Sequence, residues 1–245
     1  MRWLLAAVAL GAISAGTASA DVMWYNGDFN GNDGTYAANH GGGFLDIDQW
    51  VYDNFKLPSN TTLNSVFGYF LFAGGTPVGA EFEIRSGVSA NDGGTLVQSG
   101  SCASFGWTPT ATTFSSPIFG DLTLYRLDLA VSFTLTAGNY WLGLRPIGDT
   151  GTETDTFLAQ TNGDNAVGSP PGNDGNSYVD SLFFGASFDP ADPVANVDYS
   201  LGITEASATT PEPASGGLLA IMLLAMAFHL RWRARKQSKP ERRER

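Results

Sequence analysis

From Leu122 to Phe133 the chain alternates side by side. Tyr125, Leu127, Leu129, Val131 and Phe133 fall on one face, and Arg126, Asp128, Ala130 and Ser132 on the other. Period two with one apolar face is the pattern of a half-buried strand in an antiparallel sheet. Ala80 to Arg85 repeats it, with Phe82 and Ile84 opposed to Glu81, Glu83 and Arg85. Asn139 to Arg145 repeats it again, with Tyr140, Leu142 and Leu144 opposed to Trp141, Gly143 and Arg145. No long window between residues 21 and 209 carries a helical period.

Further strands are expected over Val51–Leu57, Leu63–Phe72, Thr95–Ser99, Thr154–Ala159, Tyr178–Phe184 and Val197–Ile203. Breakers separate them: Pro58-Ser59-Asn60, Gly74-Gly75-Thr76-Pro77, Asn91-Asp92-Gly93-Gly94, Thr136-Ala137-Gly138-Asn139 and Asp189-Pro190. Many short strands with regular turns predict an all-β fold, an antiparallel two-sheet β-sandwich of jelly-roll-like form over residues 21–203. A segment of that length buries a sufficient core without disulfides. The single cysteine, Cys102, provides none, and a small buried hydrophobe is its expected role.

Both ends of the chain read as targeting segments. Met1-Arg2 is a positive start, Trp3 to Ile13 an apolar core, and Ala18-Ser19-Ala20 an A-x-A cleavage site. Residues 1–20 therefore read as a secretory signal peptide, for signal peptidase to remove before Asp21. Near the other end, Ala214 to Leu230 holds no Asp, Glu, Lys or Arg. Its 17 positions reach ~25 Å as a helix, just short of a ~30 Å hydrocarbon core. Trp232 and the stems of Arg231, Arg233 and Arg235 extend that reach, and the positive cluster marks a cytoplasmic flank. The reading is a transmembrane helix over 214–230 in the inner membrane, with residues 236–245 as a basic cytoplasmic tail. Thr204 to Thr210 reads as a small-residue linker open to a processing enzyme.

Pro211-Glu212-Pro213, the apolar helix and the arginines at 231, 233 and 235 follow one another in that order behind a signal peptide. Over residues 211–235 this stretch resembles the PEP-CTERM sorting signal of bacterial exported proteins. The resemblance implies recognition by exosortase, a membrane thiol transpeptidase acting near Pro211-Glu212-Pro213. It also implies an ectodomain held first in the periplasm and then passed to the cell surface or extracellular matrix. Tyr52-Asp53-Asn54-Phe55-Lys56-Leu57-Pro58, Phe82-Glu83-Ile84-Arg85-Ser86-Gly87 and Leu135 to Leu144 are similar to β-sandwich ectodomains that precede such signals. That likeness carries no general activity with it.

Charge narrows the partners. Between Asp21 and Thr209 stand 21 acids and four bases, a net of −17 (4 − 21), whereas the part after Leu230 has eight bases and two acids. So acidic a body repels nucleic acid, which excludes DNA or RNA binding. It suits solubility, and it suits a divalent cation.

Candidate chemistry is sparse. In Asp28-Phe29-Asn30-Gly31-Asn32-Asp33-Gly34 the oxygens of Asp28, Asn30 and Asn32 alternate as in a calcium loop. Asp33, however, stands where an EF-hand needs Gly, and Asn39 stands where it needs Glu. Asn162-Gly163-Asp164-Asn165 and Asn173-Asp174-Gly175-Asn176 are similar turns. His40 is the one histidine of this segment, so a multi-histidine zinc site is excluded, and no G-x-S-x-G accompanies it for a triad. No cofactor and no catalytic residue is assigned. Glu81 with Glu83, or Asp46 with Asp48, has the residue types of a glycosidase, but Glu81 and Glu83 are expected at a solvated strand edge. Trp24, Trp50, Trp107 and Trp141 offer faces on which sugars stack, though most are expected in the core. The expected function is a non-catalytic surface or matrix protein of unassigned ligand. The alternative is a carbohydrate-binding module for exopolysaccharide, calcium-assisted; a glycoside hydrolase ranks third.

Overall fold

The computed structural model describes residues 21–39, 48–75, 77–149, 155–170, 172, 174–191 and 197–206. The signal peptide, His40, Asp46, Asn173, the Pro211-Glu212-Pro213 motif, the 214–230 run and its flank at Arg231, Trp232, Arg233 and Arg235 lie outside the described residues. Among the described residues no helix is long and apolar enough to cross a membrane.

Fourteen strands are described: β1 (Val22–Tyr25), β2 (Phe29–Tyr36), β3 (Gln49–Leu57), β4 (Thr61–Gly74), β5 (Pro77–Ser86), β6 (Thr95–Cys102), β7 (Gly106–Ser116), β8 (Gly120–Leu135), β9 (Gly138–Gly148), β10 (Asp155–Thr161), β11 (Tyr178–Ser181), β12 (Ala186–Pro190), β13 (Asp198–Tyr199) and β14 (Leu201–Glu205). Every strand pair is antiparallel. Eight strands form one sheet around β1-β14-β4-β10-β13, with β8 on β4, β7 on β8 and β2 on β10. Six form the other, in the order β12-β11-β3-β9-β5-β6. The all-β, two-sheet expectation is met.

The alternation seen in sequence chooses the inner faces. Val51, Phe55 and Leu57 of β3, Phe82 and Ile84 of β5, and Leu142 and Leu144 of β9 meet one cluster from the other sheet. Val66 and Phe70 of β4, Leu127 and Leu129 of β8, Leu158, Leu201 and Ile203 supply that side. Burying each such side chain contributes ~1.5–3 kcal/mol. Rings close the layer: Trp24 lies 5.3 Å from Phe55, and Phe82 stacks on Phe133 at 5.7 Å and 7°.

Four strands escape the sequence pattern: β1, β2, β7 and β12. β2 runs through the Asn/Gly-rich stretch read as a loop. It is held by its ladder with β10, Leu158 opposite Thr35 and Ala159 opposite Gly34, and by the rings at its two ends, Phe29 against Phe114 and Tyr36 against Phe157. β12 runs through Asp189-Pro190, read as a breaker. Conversely, the strand expected to reach Phe184 stops at Ser181, where Gly185 (φ 67°) closes a turn and leaves Leu182 91% exposed. Val197–Ile203 divides at Ser200 into β13 and β14, and β14 continues to Glu205, into the stretch read as linker. Cys102 corrects its expected burial: it ends β6 exposed, its Sγ accepting from the Ser104 amide at 3.3 Å. β6 is an edge strand, with no further strand beside it to cover Cys102.

Candidate functional site

The outward face of the six-stranded sheet carries a connected polar and aromatic arrangement. Period two sends Trp50 and Tyr52 of β3, Gly143 and Arg145 of β9, and Glu81, Glu83 and Arg85 of β5 to that face. Register then lines them up. One row runs from Tyr178 to Tyr52, Gly143, Glu83 and Ser99; beside it, Asp180 faces Trp50, and Arg145 faces Glu81 and then Ser101.

Along the first row, Tyr52 lies between Trp50 (5.8 Å, 22°) and Phe188 (5.3 Å, 29°). Gly143 lets that ring lie across β9: a Cβ there would stand 2.6 Å from Tyr52 Cε1. The Tyr52 hydroxyl thereby reaches past the strand and donates to Glu83 Oε2 at 2.8 Å. Arg85 donates to the same oxygen through Nε at 2.7 Å and to the Gly93 carbonyl at 3.1 Å, with its guanidinium 5.1 Å from the Phe188 ring centre. Burial first, and the Glu83 charge second, push the Tyr52 phenol far up, so it stays a donor.

In the second row Arg145, 5% exposed, lies 3.9 Å over the Trp50 ring. Its Nε donates to Glu81 Oε1 at 2.6 Å and its Nη1 to Asp48. Asn39 Nδ2 donates to the same Glu81 oxygen at 2.7 Å. Burial pushes the Asp180 carboxyl above its ordinary range, and Arg85 draws it back. Glu81 and Glu83 are thus not at a solvated edge. β5 lies between β9 and β6, and each carboxylate is 18% exposed with its own arginine. Trp50, Glu81, Glu83, Ser99 and Ser101 border a shallow groove of about 220 Å³. Such a groove offers carboxylate acceptors and hydroxyls beside a Trp50 ring that already carries the Arg145 guanidinium, and those acceptors can take the hydroxyls of a polyhydroxylated ring.

The sequence exposed the parts of this site but not their assembly. Each strand shows its own alternation, while the meeting of Arg145 with Glu81 and Trp50 depends on cross-strand register. Of the tryptophans, Trp24 and Trp141 are buried, and Trp50 and Trp107 are partly so.

Asp28 and Asn30, read as candidate calcium ligands, take part in local hydrogen bonds. Asp28 Oδ1 accepts from the Tyr25 hydroxyl at 2.8 Å and Oδ2 from Asn165 Nδ2 at 2.6 Å. Asn30 Oδ1 accepts from the Asn32 amide at 2.9 Å, and Asn30 Nδ2 reaches Asn162 Oδ1 at 3.5 Å. The structure therefore joins this segment to the 162–165 turn, a further bond running from the Asp28 amide to the Asp164 carbonyl at 2.8 Å. Each of these oxygens already accepts a hydrogen bond. Among the described residues no three His, Cys, Asp or Glu side chains gather as a metal cluster.

No protein-family model matches the chain, and no curated protein matches it either.

Proposed function

We propose that the chain is an exported, membrane-tethered surface or extracellular-matrix protein that acts without catalysis, its jelly-roll-like ectodomain processed by exosortase. The carrying observation is the agreement of the two chain ends in sequence: a cleavable export signal in front, and Pro211-Glu212-Pro213, an apolar run and an arginine flank behind. The fold supports a tether at one end of the sandwich. β1 and β14 are neighbours, the Glu205 amide donates to the Asp21 carbonyl at 3.0 Å, and the Ala206 amide donates to the Thr62 carbonyl at 2.9 Å. The chain thus enters and leaves the body side by side. The test is mass spectrometry of the mature protein from a host with exosortase. Cleavage near Pro211 is expected; a chain still ending at Arg245 sinks the processing step.

The groove beside Trp50 favours a second reading, an exopolysaccharide-binding face. Glu81 and Glu83, both held by arginines, act there as hydroxyl acceptors rather than as an acid and nucleophile. A glycan array blank with wild type, with and without calcium, removes this reading.

A further inference from the structure

The last strand of an open sheet carries backbone N–H and C=O groups that no neighbour takes, and short length, charge, proline and bulges are what keep such an edge from pairing. Most edges of this fold are blunted in one of these ways. β13 has two residues, and β1 has four, with Val167 bridged to Tyr25 beside it. β12 has five, among them Asp189 and Pro190. β2 carries Asp33, and its register with β10 slips between Gly34 and Phe29. β7 carries Pro109, and its register with β8 slips between Pro109 and Thr113.

β6 differs. Among the described residues it pairs with β5 only, and Thr95–Cys102 contains neither a charge nor a proline. One irregularity falls between Leu96 and Gln98; from there to Cys102 the strand pairs residue for residue with Ile84 to Ala80. Gln98 to Cys102 therefore presents a regular free edge. Side chains leave it open, since Ser99, Ser101 and Cys102 are small and exposed and Gly100 adds none. Beside it, Leu96 is 46% and Val97 39% exposed.

The charge pattern selects the occupant. From Gly93 to Gly120 no residue is Asp, Glu, Lys, Arg or His, in a chain of net charge −11. On the neighbouring β5 the charges are matched, Glu83 by Arg85 and Glu81 by Arg145. Two copies of so acidic a chain repel wherever their acids meet, and along β6 none meet. A basic partner, conversely, finds no acid on β6 to hold it. An antiparallel pair about a two-fold axis is also self-complementary. With the axis at Gly100, Ser99 faces Ser101 of the second copy and Gln98 faces its Cys102, hydroxyl beside hydroxyl, with no bulky or like-charged pair.

We propose that β6 pairs with β6 of a second copy of this chain, antiparallel about Gly100, joining two six-stranded sheets into one. A few small residues on each side bury less than a standard interface, so the dimer is weak and reversible. Ser99 and Ser101 also border the shallow groove beside Trp50, so the two grooves of a dimer lie on one continuous face. The pairing does not depend on what that groove binds.

The test uses the full-length chain in density-matched detergent, followed by sedimentation velocity. A dimer is expected at about 100 µM chain and its loss at about 1 µM. Cys102 is the chain's one cysteine and carries a nitroxide label for double electron–electron resonance. In the proposed register the two Cys102 Cα atoms lie about 14 Å apart, so a narrow label distance below about 30 Å is expected. Ser99→Lys and Ser101→Lys place a charge on an exposed edge position; each should weaken the dimer at least about tenfold while leaving the melting temperature unchanged. Thr112→Lys, on the exposed edge of β7, should dimerise as wild type does. Wild type that stays monomeric at about 100 µM overturns the proposal. So does a dimer that survives both β6 lysines, one that Thr112→Lys weakens as much, or a label distance beyond about 30 Å, which would place the contact elsewhere on the chain.

Discussion

Gly143→Ala probes the outer face with one methyl group. The added Cβ would lie 2.6 Å from Tyr52 Cε1, 2.8 Å from Cδ1 and 3.1 Å from Trp50 Cε3. Ordinary carbon contacts sit at ~3.5–4.0 Å, so the ring must retreat by about 1 Å. It has little room to do so. Tyr52 is 1% exposed, backed by Phe188 on one face and Trp50 on the other, with its hydroxyl on Glu83. Overpacking of this kind costs about 1–3 kcal/mol. Replacing a strand glycine by alanine returns ~0.5–1 kcal/mol of backbone entropy. The net loss should be up to about 2.5 kcal/mol, or a melting temperature lower by up to about 10 °C for a body of this size. Urea denaturation with an unchanged m-value gives the free energy. Near-ultraviolet circular dichroism reports whether the Trp50–Tyr52–Phe188 stack has opened. In a Tyr52→Leu background the same substitution should cost less, since its two closest clashes are gone and only Trp50 Cε3 at 3.1 Å remains. If Gly143→Ala leaves both the stability and the near-ultraviolet circular dichroism of wild type unchanged, the packing account of this face is wrong.

Other perturbations follow from the same geometry. Arg145→Ala should lower stability by about 2–3 kcal/mol in urea melts, less than the ~3–5 kcal/mol of a fully buried pair, because Asp48 is 53% exposed; Glu81→Gln should lose less, since the Asn39 bond remains. Phe70→Ala, between the sheets, should cost about 3–5 kcal/mol by the same measurement. The folded-state value of Asp53 is raised, so its contribution is fully present below the unfolded value of ~3.9 and is lost as pH rises through the folded one. The stability of Asp53→Asn minus that of wild type should therefore grow with pH, and a flat difference would show that Asp53 is not charge-burdened. Replacing Leu182, Phe183 and Phe184 together with Ser should leave the melting curve within about 0.5 kcal/mol of wild type, because their side chains face solvent.

The order of residues by itself determined that the body is made of antiparallel sheets. Period-two alternation is a local property: whether Leu127 and Leu129 point with or against Arg126 depends only on the pleat. The same locality made Glu81, Glu83 and Arg145 readable as residues of an outward face, and it left β2 unread, since a strand of Asn and Gly has no apolar phase to detect. What the tertiary structure alone decided is which strands lie side by side. Arg145 comes to Glu81 and Trp50 through hydrogen-bonded register, and Tyr199 to Asp53 through the packing of one sheet on the other, across long stretches of chain that no single segment encodes. One trace of the buried acids was nonetheless present: Asp53 sits in phase with Val51, Phe55 and Leu57, where the pleat puts a side chain into the core. A charge at an inward position must be answered by something, and only the folded arrangement, with the Asn54 and Tyr199 amides and Asn26 Nδ2 donating to it, shows what that is.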